Sequence, residues 1–183
     1  KDYLKRALTT EEELVEHLAG AARNVGVVLG AASGGLADVD LDCAEALAVA
    51  RSFLPDTTLI TGRKSTPQAH FFYVATGVKT TNFCDPIKKP GDKKKQMIVE
   101  LRSDGRQTVL PPSLHESGEN YEFYADGEPA AVAAGELKEA VSKIAAVALI
   151  ARHWPAQGSR QDTSLALSGA LCRGNFSLED ARL

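Results

Sequence analysis

The sequence predicts an α+β fold, with a mixed or antiparallel sheet and flanking helices over residues 1–128 and a helical extension over 129–183. Three observations carry this. Short apolar segments with period-two alternation recur before residue 128, as at Leu36–Leu41 and Met97–Leu101, which is the strand pattern. Two segments among them space their apolar residues three and four apart, as helices do. After Gly127 the chain turns Ala-rich, with Leu137, Val141, Ile144 and Ala148 on one helical face.

The elements follow in order. Thr10 and Glu13 form a capping box ahead of a helix over 10–22. Val25–Leu29 is a short buried strand, Gly30–Gly35 a turn, and Leu36–Leu41 a second strand. A helix over 43–53 stops near Pro55, and strands follow at Thr58–Thr61 and His70–Val74. Residues 76–96 contain Gly, Pro and Lys without periodicity and read as a flexible loop. Met97–Leu101 and Thr108–Leu110 read as a hairpin around Ser103–Arg106, closed by Pro111-Pro112, and Tyr121–Tyr124 is a further strand. A helix spans 130–152, a linker 154–158, and a closing helix pair 162–173 and 177–182.

Composition removes several classes. With 183 residues, 44% hydrophobic and 25% charged, the chain is neither disordered nor fibrous, and its core needs no disulfide or metal staple. Three cysteines (Cys43, Cys84, Cys172) without a Cys-x-x-Cys exclude a disulfide framework and a cysteine zinc site. They fit a reducing, cytoplasmic setting. No apolar run approaches the ~20 residues of a membrane span, and the N-terminus lacks the apolar stretch of a signal peptide. The first residue is Lys rather than Met, which leads us to expect a piece of a longer protein. The net charge of −3 hides a basic middle: residues 62–106 carry 10 basic and 4 acidic groups, and both flanks are acidic. This is unlike a protein that coats DNA with a whole basic face, and it suits local handling of phosphates.

Asp38, Asp40 and Asp42 alternate along one strand, so all three carboxylates face one side. At ~7 Å apart, neighbouring carboxylates repel by roughly 2 kcal/mol at an effective dielectric near 20. A hard divalent cation, Mg²⁺ or Mn²⁺, is the usual compensation. The alternatives are a solvated edge, or Asp42 capping the following helix. Asp38/Asp40 and Asp40/Asp42 are both spaced to bind.

Arg63 and Lys64, in a loop that leads to His70 at a strand start, suit phosphate oxygens. The competing reading is a surface loop with a packed histidine. Glu100 and Arg102 share a strand face, most simply as a salt-bridge pair, unless Glu100 faces the aspartates. Pro111-Pro112 would present Ser113 and His115 rigidly, or merely end the hairpin. His17 reads as solvated, His153-Trp154 as packing, and the lysines between 88 and 95 as a solvated run that could also track a nucleic-acid backbone. No Gly-x-x-x-x-Gly-Lys-Ser/Thr exists, which excludes a P-loop ATPase.

Taken in order, Asn24–Gly30, Ser33–Asp42, Gly62–Ser65 with His70, Val99–Gly105, and Pro111–His115 with Gly118 and Tyr121 resemble the bifunctional DNA primase/polymerase domain of plasmids, phages and integrated elements, in the archaeo-eukaryotic primase superfamily. The resemblance covers roughly residues 9–125. It implies an RRM-like palm and template-directed nucleotidyl transfer from (d)NTPs, to start or extend a strand on single-stranded DNA. It places the family's Asp-x-Asp on Asp40 and Asp42, its third acid on Glu100 and its histidine on His70. The acids would hold a two-metal Mg²⁺ or Mn²⁺ site, and His70 would meet the nucleotide phosphates. Arg63, Lys64, Arg102, Ser113 and His115 fall where nucleotide or template contacts are expected.

The family often has Asp at the third acid and a small residue two before the histidine, where this chain has Glu100 and Gln68. A helicase in the same full-length chain is a further expectation from the resemblance. The competing functions are a metal-dependent nuclease and a non-catalytic replication or DNA-binding module.

Overall fold

The structure is a computed structural model and describes residues 7–19, 24–88, 91, 94–174 and 177. It is α+β, as the sequence predicts. Helix α1 (Glu11–Leu18) begins with the predicted capping box: Glu13 N–H donates to Thr10 Oγ1 at 3.2 Å, and Thr10 N–H returns to the Glu13 carboxylate at 3.2 Å. The helix ends earlier than residue 22, and residues 20–23 lie outside the described ones. Strand β1 (Val25–Val28) leads through a 3-10 turn (Ala31–Ser33) into β2 (Leu36–Leu41), then α2 (Ala44–Phe53). Asp42 does not cap α2; the N-cap is Cys43, without a side-chain bond to the helix.

Strands β3 (Leu59–Arg63) and β4 (Thr66–Val74) form a tight hairpin, so the predicted 62–70 loop is mostly strand. Gly62 is required there: a Cβ on it would lie 2.6 Å from Gln68 N and 2.7 Å from Thr66 O, both backbone atoms. Gln68 takes up the irregularity at φ +54° and accepts two hydrogen bonds from Arg51 of α2, at 2.6 and 2.9 Å.

Two further expectations are corrected. The stretch 76–96 contains a strand, β5 (Thr81–Cys84), paired with β6 (Met97–Arg102). Strand β6 and β7 (Gln107–Leu110) are not a hairpin, because β6 pairs with β2 and β5 while β7 pairs with β1. Strand β8 (Tyr121–Asp126) follows, and a two-residue β9 (Ala130–Ala131) runs parallel to β4, delaying α3 (Ala134–Arg152) past residue 130. Helix α4 (Arg160–Arg173) has no buried residues, and of the predicted 177–182 helix only residue 177 is described.

The main sheet has the order β5-β6-β2-β4-β3-β8, with β9 on β4, and β1-β7 form a separate ribbon. Alternation gives the sheet two distinct faces. Ala37, Val39, Leu41, Phe71, Tyr73, Val99 and Leu101 form one buried cluster with Ala46 and Ala50 of α2 and Leu137, Val141, Ile144 and Ala148 of α3. The helix that follows residue 128 is thus packed into the sheet's core. The opposite face is left to Asp38, Asp40, His70, Glu100 and Arg102. No helix among the described residues is long and apolar enough to cross a membrane.

Candidate functional site

The strand register builds the site. In the antiparallel pairings Thr61 of β3, His70 of β4, Asp40 of β2 and Glu100 of β6 stand directly opposite one another, and Asn82 of β5 continues the row. Directly paired residues share a sheet face, with strands ~4.8 Å apart. An imidazole and two carboxylates that are 30 or more residues apart in sequence therefore stand side by side. Asp38 and Arg102 are paired in the next row. The condition under which Glu100 gains a functional reading, that it faces the aspartates, is met.

Asp40 and Glu100 are each 7% exposed, and Asp38 is fully buried. Buried carboxylates this close need cations, and three side chains supply them. The Arg102 guanidinium pairs with Asp40, with Glu100 at 2.7 Å, and with Asp38 at 3.9 Å. Arg106 adds a contact to Glu100 at 3.3 Å. His70 Nδ1 lies 3.1 Å from Asp38 and 3.5 Å from Asp40.

The titration behaviour follows. Burial pushes the Asp40 carboxyl up to about 7 against the opposing pull of His70, with Asp38 adding to the rise. Burial pulls His70 down, but the Asp38 charge and hydrogen bond, with Asp40, outweigh it and hold the imidazole up at about 9. Asp42, exposed just past β2, is also raised by desolvation, with Arg102 opposing. At neutral pH His70 is thus a cation, and Asp40 is the carboxyl poised to exchange a proton.

Among the described residues no three carboxylate, imidazole or thiol groups converge as a ready-made metal cage. The reason is Arg102: its guanidinium stands between Asp40 and Glu100, where a cation is electrostatically required. The donor set itself consists of hard carboxylate oxygens, which suits a hard divalent ion.

The other predicted residues divide. Arg63 is anchored by Glu119 at 3.1 Å, sits 3.3 Å from His115 Nδ1, and lies over the Tyr121 ring. Tyr121 also contacts the rings of His70 and His115, with centroids 6.5 and 6.0 Å away. Arg63 and His115 thus border the His70 end of the row, while Lys64 is exposed in the β3–β4 turn. Ser113 is a correction: it is fully buried, and its hydroxyl is used by Val25, accepting from the backbone N–H at 2.8 Å and donating to the carbonyl at 3.1 Å. It pins β1 and is not presented to the open face. His153, read as packing, bonds Asp85 at 2.8 Å beside Arg152, which ties Glu45 and Asp85 together.

Sequence reasoning missed four participants. Thr108 donates to Asp38 at 2.6 Å, and Glu119 organises Arg63, Ser65 and Ser117. Tyr121 bridges the two histidines, and Thr61, fully buried beside His70, has a hydroxyl without a partner among the described residues. Only Tyr121 carried a signal, as the close of the proline–histidine–glycine run.

An α+β domain whose ionisable groups gather on the sheet face away from its helices is what the chain builds. It belongs to the bifunctional DNA primase/polymerase, N-terminal (Prim-Pol) family, whose model matches residues 1–135. Membership makes it a DNA primase/polymerase-type domain, with nucleotidyl transfer on DNA and nucleotide substrates as its kind of chemistry. No curated protein and no solved structure matches the chain.

Proposed function

We propose that the domain joins (d)NTPs to a growing strand on single-stranded DNA, starting or extending it, in the replication of a phage or other mobile element. The observation that supports this reading is the row His70–Asp40–Glu100 on three adjacent strands, with Asp42 beyond the end of β2. In this reading Asp40, Asp42 and Glu100 hold Mg²⁺ or Mn²⁺. A divalent cation there supplies charge that activates an attacking 3′-hydroxyl and stabilises the leaving pyrophosphate.

The chain's own residues do the rest. His70, cationic at neutral pH, offers charge-assisted hydrogen bonds to phosphate oxygens. Arg63, held by Glu119 and Tyr121, adds positive charge at the His70 end, and Lys64, exposed at the hairpin turn, is a further cation for phosphates. His115 shares that rim. Arg102 balances the acids and is available to a triphosphate when a metal takes its place. A helicase region in the same full-length chain belongs to this proposal as a partner.

The experiment is strand synthesis on unprimed and primed single-stranded DNA with labelled nucleotides and Mg²⁺ or Mn²⁺, resolved by product length. New product that disappears in Asp40→Ala and Asp42→Ala supports the reading, and the two templates separate initiation from extension. Shortening of the DNA without nucleotides would instead identify a nuclease. Unchanged synthesis in both variants would remove the carboxylates from the mechanism.

A further inference from the structure

We propose that Asp38, which has no place in the metal or nucleotide set above, is the positioning residue of His70, fixing its ring and keeping it off Asp40. The inference rests on the nucleotidyl-transfer reading only for what His70 then does. Its basis is geometric. Asp38 is fully buried in the middle of β2, where an unpaired carboxylate would be strongly disfavoured. Its bonds run through one oxygen: Oδ2 accepts from Thr108 Oγ1 at 2.6 Å and from His70 Nδ1–H at 3.1 Å. Oδ1 has no partner. The two donors come from different sheets, Thr108 from the β1-β7 ribbon and His70 from β4. The carboxylate is therefore held from both sides in one rotamer.

Two consequences follow for His70. With Nδ1–H committed to Asp38, Nε2 is the ring nitrogen without a partner among the described residues. A flipped ring would cost the buried carboxylate its hydrogen bond from Nδ1–H and leave it only Thr108 and the more distant Arg102, so Nε2 is the atom kept for a phosphate oxygen. The second consequence concerns Asp40, whose Oδ1 lies 3.5 Å from the same Nδ1 and is the next acceptor in reach. An apolar residue at position 38 would turn the imidazole proton to Asp40 and occupy an oxygen needed for a metal. An aspartate orienting a histidine through Nδ1 is a general device. Here it separates the histidine's task from the metal ligand's.

The test uses Asp38→Asn, Asp38→Val and Thr108→Val, each alone and combined with His70→Gln. Nitrogen-15 NMR of the His70 ring reads the Nδ1-bound proton directly. It should be a protected, downfield signal in the wild type and should be lost or strongly shifted in Asp38→Val. Calorimetry with dATP and Mn²⁺ reads the nucleotide site, where outer-shell partners are worth roughly 10–100-fold in affinity. Asp38→Asn should lose about tenfold within that range, and should lose nothing further once His70 is Gln, because both act through one contact. Binding of single-stranded DNA should be unchanged.

Equal losses with and without His70, or an unaltered Nδ1 proton in Asp38→Val, would overturn the assignment. Should the wild type bind no dATP, the functional reading fails while the ring signal still decides the role of Asp38. Should Asp38→Val not fold, Thr108→Val leaves β2 intact and must shift the same signal; an unshifted one counts against the proposal.

Discussion

Replacing Arg102 with Met keeps the aliphatic stem and removes the cation that three carboxylates share. The guanidinium lies within 4 Å of Asp38, Asp40 and Glu100, and its side chain is 24% exposed. Unit charges 4 Å apart interact by about 4 kcal/mol at an effective dielectric of 20. Removing one partner of such a network typically costs about 3–5 kcal/mol. Protonation limits the loss. Asp40 already titrates near 7 with Arg102 beside it, and without Arg102 it must rise further. Below pH 7 Asp40 is neutral in both proteins, so only Glu100 and Asp38 register the change.

Above pH 7 the wild type ionises Asp40 and the variant does not. The variant's deficit therefore grows by about 1.4 kcal/mol per pH unit until its own Asp40 ionises. Urea denaturation followed by circular dichroism should show a deficit of roughly 3 kcal/mol at pH 6 and about 1.4 kcal/mol more at pH 8. Mn²⁺ should restore more stability to the variant than it adds to the wild type, up to about 2.7 kcal/mol at a hundredfold excess over its dissociation constant. A deficit below about 0.5 kcal/mol, the scale of a neutral surface change, identical at both pH values, would refute the view of Arg102 as the internal counter-ion of the acids.

Three further predictions follow from the same structure. Mn²⁺ binding should weaken about tenfold per unit below pH 7, because Asp40, raised to about 7, must lose its proton to ligate; a pH-independent affinity by calorimetry would remove Asp40 as a ligand. Glu45, held down at about 2 by its hydrogen bonds to Arg152, adds stability that is complete above its unfolded value of 4.5 and lost as pH falls toward 2. Arg152→Gln should flatten that acid-side loss, worth about 1 kcal/mol at a partly exposed pair, and an unchanged slope of urea midpoint against pH would count against it. Gly62→Ala places a methyl 2.6 Å from backbone at Gln68 and should cost about 1–3 kcal/mol while lowering dATP affinity through the displaced His70 strand; wild-type stability and affinity together would show that the hairpin adapts.

Much of this was legible in the chain because β2 and α2 state their periods clearly: Leu36–Leu41 alternates, and Ala46 and Ala50 are a helical turn apart. Strand β5 was not, since Thr81–Cys84 is four residues on a sheet edge, paired on one side only, inside a Gly, Pro and Lys stretch. The false β6–β7 hairpin shows a different limit. Alternation says that a segment is a strand but not what it pairs with, and the partners of β6 and β7 lie from 13 residues away (Cys84 and Met97) to 85 (Val25 and Leu110). For the site, spacing could place Asp38 and Asp40 on one face, and the register then added His70 and Glu100 to it. Ser113 failed because a serine after two prolines reads as displayed, whereas its hydroxyl replaces a missing backbone partner for Val25.

The cations on this face pair unequally with its acids. Asp38 and His70 form one compensated pair, and Glu100 forms another with Arg102 and Arg106. Asp40 lies between them, 3.5 Å from His70 and in contact with Arg102, sharing both cations and owning neither. Burial outweighs these shared cations at Asp40 and displaces its carboxyl to about 7. Charge on this face can therefore change by a proton at Asp40 near neutral pH. Any cation that enters competes with that proton and with Arg102, both at Asp40, so the pH dependence of metal affinity and the effect of Arg102→Met report on the same atom pair. If the two measurements disagree, with one showing Asp40 engaged and the other not, the acids do not share a single cation position.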